Sequence, residues 1–199
     1  MRLFIKRLLG SRTPPPQPVL QEYFLRLALE EIGITGGPIK VNHQEGQSAH
    51  AAIGTVPIVF PMSYVDRISE MDKHKSRDFF FQGVITEKRA WLREYEDVFD
   101  STYGRNPATK YEFHTEYFAN ICASRFALAP TGDCPWSYRF LEGVMCHAIP
   151  VLGNDDVDVF SKRFIYFRHS DAKRFDPEVC LSNYANFLRN HTLKGLGFG

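Results

Sequence analysis

The sequence predicts an α/β fold built on a doubly wound parallel sheet, and three observations carry that expectation. Residues 78–189 alternate short apolar runs with segments of helical spacing, the pattern of parallel strands joined by crossover helices. Inside that region FALAPTGDCPWSYRFLEGVMCHAIPVL, Phe126 to Leu152, reads as strand, loop, helix and strand. An apolar run to Ala129 precedes turn formers from Pro130 to Trp136; Phe140, Leu141, Val144 and Met145 then follow at helical spacing before Ile149 to Leu152. Such a βαβ unit requires a parallel pair with a right-handed crossover. The composition agrees, since 199 residues at 44% hydrophobic and 24% charged form an ordinary globular balance, long enough for one sizeable core.

Taken in order, residues 1–10 (MRLFIKRLLG) interleave apolar Leu3, Phe4, Ile5, Leu8 and Leu9 with Arg2, Lys6 and Arg7. The stretch is too short to cross a bilayer and lacks the long apolar core of a signal peptide. A packed terminus is the plainer expectation; peripheral contact with an anionic membrane, as a short basic helix, is the other. TPPPQP at 13–18 is a stiff spacer. A helix is expected over Val19–Ile34, closed by Gly33, Gly36 and Gly37. A strand at Ile39–Val41, a polar loop with His43, Glu45, Ser48 and His50, and a short edge strand at Val56–Phe60 follow. Ser63–Arg77 reads as a polar surface crossing. Beyond it, strands are expected at Phe79–Phe81, Val98–Phe99 and Phe164–Phe167. Helices are expected over Glu87–Tyr95 with Thr86 as cap, over Pro107–Ala123, and over Glu178–Arg189 behind the Asp176–Pro177 start signal.

Several function classes lose support at this level. Lys plus Arg number 24 against 23 Asp plus Glu, a net charge of +1, and no basic stripe interleaved with aromatics is present, so no nucleic-acid partner is expected. Cys122, Cys134, Cys146 and Cys180 show no CxxC spacing; reduced thiols and a cytoplasmic setting are expected. There is no GxGxxG, P-loop or GxSxG elbow, which removes the usual support for dehydrogenase, P-loop kinase and serine hydrolase chemistry. His43, Glu45 and His50 match no zinc-binding spacing, and Asp155, Asp156 and Asp158 read as an acidic surface loop, so no metal site is expected.

Chemistry concentrates just after Phe126–Ala129. In parallel α/β sheets ligands bind beyond the carboxyl ends of the strands, here over Pro130–Ser137. Arg139 stands in the first turn of the following helix, where the dipole disfavours a cation by ~0.3–1 kcal/mol. Either an acidic neighbour, Asp133 or Glu142, neutralises it, or backbone N–H groups and the guanidinium together hold an anion. Glu142 lies three residues on, along the same helix face, so a plain Arg–Glu surface pair and a ligand site are equally open. A ligand with a phosphate at one end and a diol at the other would suit the second reading, as in a nucleoside diphosphate. Arg139 would meet pyrophosphate oxygens and Glu142 the ribose hydroxyls, each charge-assisted bond contributing ~1.5–3 kcal/mol.

The same stretch resembles the nucleotide-sugar-binding half of the exostosin-like glycosyltransferases. The resemblance rests on Pro130, Gly132, Ser137, Arg139, Glu142, Pro150 and Val151: a strand ending in Pro-x-Gly, a Ser-x-Arg-x-x-Glu helix and a Pro-Val strand. DFFFQG from Asp78, with Arg89 and Leu92 downstream, and IVFP at Ile58–Pro61 resemble the family's preceding strands, so the likeness spans residues 56–190. Fucosyltransferases of similar layout are the nearest competing family.

The resemblance implies a GT-B fold in which residues 1–18 are a basic, proline-rich segment, 19–75 a reduced acceptor-side region and 76–199 a Rossmann-like, nucleotide-sugar-binding domain. It implies an inverting, metal-independent, cofactor-free transfer of a sugar from a UDP- or GDP-type donor to a glycan or lipid-linked acceptor, as in polysaccharide biosynthesis. Donor-binding residues would be Thr131, Gly132, Ser137, Arg139, Glu142 and Arg89, with Arg139 also catalytic. The acceptor's proton requires a base, for which His43, Glu45, His50 and Asp66 are candidates. Two departures stand out. His147 occupies a turn where the family usually has Gly; His tolerates left-handed backbone, so a helix C-cap role is expected. The short upstream region implies completion by a partner chain or homo-oligomer, or else a non-catalytic half-transferase that binds nucleotide or glycan.

Overall fold

The computed structural model describes residues 20–42, 48–100, 111–131, 136–157, 159–160 and 163–199. The expectations for residues 1–19, and those that rest on His43, Glu45, Pro107, Gly132, Asp133, Cys134 and Asp158, lie outside the described residues.

The described chain opens with α1 (Leu20–Glu31) and a small antiparallel sheet of β1 (Lys40–Asn42), β2 (Ser48–Ala51) and β3 (Gly54–Pro57). It continues through α2 (Met62–Ser69), β4 (Arg77–Gly83), a 3-10 helix (Glu87–Glu94), β5 (Val98–Asp100), α3 (Thr115–Cys122) and β6 (Ser124–Leu128). It ends with α4 (Tyr138–Met145), β7 (Ile149–Leu152), β8 (Phe167–Arg168) and α5 (Pro177–His191). Strands β4 to β8 form one all-parallel sheet in the order β5-β4-β6-β7-β8. The chain therefore steps outward from β4 to β5 and returns to build β6, β7 and β8 on the other side. This is a Rossmann-like, doubly wound arrangement whose direction reverses between β4 and β6, the place where such sheets open a crevice for ligands.

Both faces of the sheet are covered, as a parallel sheet requires. Successive residues point to opposite faces. Phe80, Ala127 and Leu152 join a cluster with Phe24, Phe60, Phe118, Phe140 and Phe187, while Phe81, Leu128 and Val151 join one with Leu92, Phe126 and Cys180. All four residues of β7 are buried, which is why Ile149–Leu152 reads as a continuous apolar run. Residues of α1 and α2 share the first cluster with α3 and α4. A satellite cluster joins Leu25, Ala28 and Leu29 of α1 to Ala49, Val56 and Leu193, beneath the antiparallel sheet.

Several sequence expectations change. The helix expected over Pro107–Ala123 begins, among the described residues, only at Thr115, and Ser48–His50, expected as polar loop, pair as part of β2. Ser63–Arg77 is not simply a surface crossing: Tyr64, Val65 and Ile68 bury one face of α2, and the polar residues between them face outward. The segment over Glu87–Glu94 is 3-10 rather than α, without a side-chain cap bond from Thr86 and with a break at Arg89. The edge strand stops at Pro57; Ile58–Phe60 continue as buried connector, with Phe60 N donating to His191 O at 2.8 Å. The last strand is only Phe167–Arg168. By contrast α5 begins as the signal predicts, Asp176 Oδ1 accepting from Glu178 N at 2.9 Å.

Helix α4 is enclosed on every side: Phe140, Leu141, Glu142, Gly143, Val144 and Met145 are all buried. It lies close on β6 because Gly143 has no side chain; a Cβ there would stand 2.6 Å from Ala127 Cβ. The helix ends in a Schellman motif, with Ala148 N to Gly143 O at 2.9 Å, His147 N to Val144 O at 3.1 Å and His147 at φ 55°. The expected C-cap role of His147 is thus what the backbone adopts. Beneath it, Lys75 Nζ donates to Cys122 O at 2.8 Å and Cys146 O at 3.0 Å, joining the negative ends of α3 and α4 under one ammonium. Cys122, Cys146 and Cys180 are free and buried, and burial raises the Cys146 thiol well above its usual range.

Three outcomes follow from this packing. Gly143→Ala should lower unfolding free energy by about 1–3 kcal/mol in denaturant titration, because helix and strand must separate to admit the methyl group. His147→Gly should be more stable than His147→Ala by about 1 kcal/mol, the cost of a left-handed residue that carries a Cβ. The third concerns His191, 2% exposed, whose Nδ1 is 2.7 Å from Ile58 O. Burial holds its pKa down to about 4 from 6.5. An unfolded chain then takes up this proton before the folded one, so stability should be full above pH 6.5 and fall by up to about 3 kcal/mol as pH drops toward 4. His191→Asn, which keeps a donor for Ile58 O, should flatten that part of the Tm–pH curve.

Candidate functional site

At the carboxyl ends of β4 and β6, where the sheet reverses direction, a recess with room for about one water molecule is lined by residues that include Phe80, Phe81, Gln82, Tyr117, Leu128 and Arg139, several of them buried. Three elements build it. Strand β4 presents aromatic rings and the Gln82 carbonyl, α3 contributes Tyr117, and the first turn of α4 contributes Arg139. Ser137 sets where that turn begins: it is the N-cap, its Oγ accepting from Arg139 N at 3.3 Å.

The position of Arg139 in the first turn has a tertiary explanation. Its guanidinium leaves the helix axis and crosses to β4, where Nη2 and Nε donate to Gln82 O at 2.9 and 3.2 Å. It lies over the Phe81 ring, 4.9 Å from the centroid. Gly83 leaves the space for it, since a Cβ there would run into Arg139 Nη2. The two bonds from a charged donor offset the ~0.3–1 kcal/mol that the dipole costs a cation at this end.

Glu142 is 1% exposed, so the solvated Arg–Glu surface pair is excluded. Its Oε2 accepts from Tyr117 Oη at 2.7 Å, across the contact between α3 and α4. The carboxylate thus sits inside the fold, behind a residue that lines the crevice. An ionised group in that position costs several kcal/mol unless donors surround it, and Tyr117 is one of them.

Around the crevice the loops at the carboxyl ends are tied together. Arg89 Nη1 donates to Val84 O at 2.8 Å and Nε to Thr131 O at 2.9 Å, joining the loops after β4 and β6. Thr131 Oγ1 donates to Asp156 Oδ1 at 2.6 Å, and Asp156 Oδ2 accepts from Gly153 N at 2.6 Å, joining the loops after β6 and β7. Arg168 Nη1 reaches Gly153 O at 2.9 Å, Asn154 O at 3.2 Å and Asp156 O at 2.6 Å. Arg89 and Thr131, expected as donor ligands, hold the loop after β6 in place in this structure. Asp156, expected as part of a solvated acidic loop, is half-buried and tied.

Of the candidate bases, those among the described residues are not brought to this place. His50 is exposed on the antiparallel sheet, its Nδ1 3.2 Å from Thr55 Oγ1. Asp66 is exposed on α2, and its charge adds to burial in raising the Tyr184 phenol of α5. Neither is among the crevice-lining residues. Among the described residues no group of three or more His, Cys, Asp or Glu is placed to hold a metal ion, and no helix is long and apolar enough to cross a membrane. Sequence reasoning missed Tyr117, Gln82, Asp156 and Arg168. Only Asp156 carried a local signal, a Gly-Asn-Asp-Asp turn whose carboxylates commonly bond nearby backbone; Tyr117 had only the spacing of a core helix face.

No family model matches the chain. Over 89 residues it is 28% identical to a curated protein of Physcomitrium patens described as a probable glucuronosyltransferase 47 A, a stretch covering 41% of this chain and 20% of that protein. The chain therefore spans about a fifth of the length of the curated relative it matches. This partial similarity supports the glycosyltransferase class, and nothing narrower.

Proposed function

We propose that the chain is the donor-binding part of an inverting, metal-independent glycosyltransferase of exostosin-like, GT-B type, acting on a UDP- or GDP-type nucleotide sugar. The observation that carries this reading is the convergence, at the reversal point of a parallel sheet, of a capped helix N-terminus, Arg139 and the Tyr117–Glu142 pair. A guanidinium has five donors. Arg139, whose guanidinium donates to Gln82 O, would turn donors toward the diphosphate together with the amides of the first turn of α4. Glu142 would accept from the ribose hydroxyls.

In the transfer, an acceptor oxygen attacks the anomeric carbon from the face opposite the diphosphate. The bond from that carbon to the diphosphate oxygen breaks, and the electron pair leaves with the nucleotide. Arg139 and the helix terminus would stabilise that growing charge. The acceptor proton passes to a base. A glucuronosyl donor is the first candidate, on the similarity to the glucuronosyltransferase, and a glycan or lipid-linked acceptor is the expectation from the sequence resemblance.

A second reading, a non-catalytic half-transferase completed by a partner chain, is favoured by one observation: His50 and Asp66 do not line the crevice. UDP release from a UDP-linked glucuronosyl donor by the purified chain separates the two, since a complete site transfers some sugar to water. For the donor site itself, calorimetric titration with UDP and GDP should show saturable binding by one of them. Arg139→Ala should weaken it by about 10- to 100-fold, the loss of one or two charge-assisted bonds. Arg139→Lys should restore only part of the affinity, because an ammonium lacks the planar fork. Absence of binding by either nucleotide, or unchanged affinity in Arg139→Ala, would overturn the proposal.

A further inference from the structure

We infer that Cys122 and Cys146 form an oxidisable dithiol, a modification site at which a hydroperoxide converts the two thiols into a disulfide joining the ends of α3 and α4. Cys122 is the last residue of α3 and Cys146 the C-cap of α4, the helices that carry Tyr117 and Arg139. Their main chains meet at one ammonium, Lys75 Nζ donating to Cys122 O at 2.8 Å and to Cys146 O at 3.0 Å. Their side chains meet as well. The two thiols are hydrogen-bonded to each other, and Cys146 Sγ is 3.9 Å from Phe118 O, one turn before Cys122 on α3.

The two sulfurs are not equivalent. The hydrogen bond from Cys146 holds the Cys122 thiol below its usual range against the opposing effect of burial, and the ammoniums of Lys73 and Lys75 add to the lowering. Burial, with the bond to Cys122, holds the Cys146 thiol well above it. The thiolate is the nucleophile, and a lowered thiol in a basic setting with a second thiol in reach is the arrangement that peroxides oxidise. Cys180 is the internal contrast: burial pushes it up to about 11, and no thiol acts on it. Both members of the pair are buried, but Cys122 lies in the terminal turn of α3, where local opening costs less than in the core. A small peroxide therefore has a way in.

With hydrogen peroxide the Cys122 thiolate attacks one oxygen; the S–O bond forms, the O–O bond breaks, and the departing hydroxide takes up the proton that Cys122 released. The Cys146 sulfur then attacks the Cys122 sulfur. The S–S bond forms, the S–O bond breaks, and hydroxide leaves with the Cys146 proton as a second water. Two thiols together lose two electrons, and the peroxide is reduced to two waters.

The test treats the folded chain with hydrogen peroxide, alkylates the remaining thiols with iodoacetamide and maps the tryptic peptides by mass. The cysteines fall in four separate peptides, 111–125, 126–139, 140–162 and 175–189, so the pairing is read directly. Peptides 111–125 and 140–162 should be linked, at about 2 Da below the sum of the reduced pair, and dithiothreitol should separate them. In Cys146→Ser, Cys122 should stop at the sulfenic acid and take up dimedone; in Cys122→Ser no dimedone should enter Cys146. Two thiols that both remain open to alkylation, a link to peptide 126–139 or 175–189 instead, a link that forms only in denaturant, or dimedone absent from Cys122 or present on Cys146 would overturn the inference. If circular dichroism shows that Cys146→Ser does not fold, the wild-type peptide map decides by itself.

Discussion

The seating of α4 on β6 is the constraint on which the rest of the site depends. With no Cβ at Gly143, the helix comes so near the strand that a methyl group would stand 2.6 Å from that of Ala127. The contact fixes the height of the helix along the sheet. Its N-terminus then falls beside the reversal point between β4 and β6, and its C-terminus falls where His147 must turn left-handed and Lys75 can cap two helices at once. Because the helix is also covered by neighbouring helices, six consecutive residues are buried, Glu142 among them at 1% exposure.

A second regularity concerns where the cations go. The net charge is +1, so no long-range field is built, yet several basic side chains are directed onto main-chain carbonyls at element ends. Arg89 takes Val84 and Thr131, Arg139 takes Gln82, and Arg168 takes Gly153, Asn154 and Asp156. Lys73 takes Ile68, Ser69 and Met71, and Lys75 takes Cys122 and Cys146. Carbonyls at the ends of helices and parallel strands lie outside the regular ladders and need donors. Long, multiply donating side chains meet that need while holding neighbouring loops in register. At the carboxyl edge, Arg89, Thr131–Asp156 and Arg168 together link the loops after β4, β6 and β7 to strand β8. A rim held this way can present donors to an anion without first ordering itself, which is the economy of a preorganised site.

Much of the architecture was legible because its signals are local. Asp176–Pro177 starts a helix, Ile149–Leu152 is a buried strand, and His147 marks a left-handed cap; each depends on propensity, hydrophobic run length or backbone sterics within a few residues. The misreadings have a common origin. Ser63–Arg77 looked polar because only three of the residues in α2 face the core. Glu87–Tyr95 looked α-helical because apolar spacing does not distinguish α from 3-10 in so short a segment, and Arg89 draws its side chain toward Val84 and Thr131 at the break.

The sequence by itself determined the fold class and the stretch, Phe126 to Leu152, in which chemistry could lie, because run lengths, caps and turn formers act within one element and its connection. Tertiary structure alone decided what that stretch does with its charges. Arg139 and Glu142 are three residues apart and read as one pair. In the fold the first crosses to a carbonyl of β4 and the second is met by a phenol from α3. Partners more than twenty residues away along the chain set the direction of both side chains, and the packing that brings them near is invisible to spacing along one helix. The same holds for the sheet order, which places these groups at a reversal point: strand order is a property of connections between elements, and no single element encodes it.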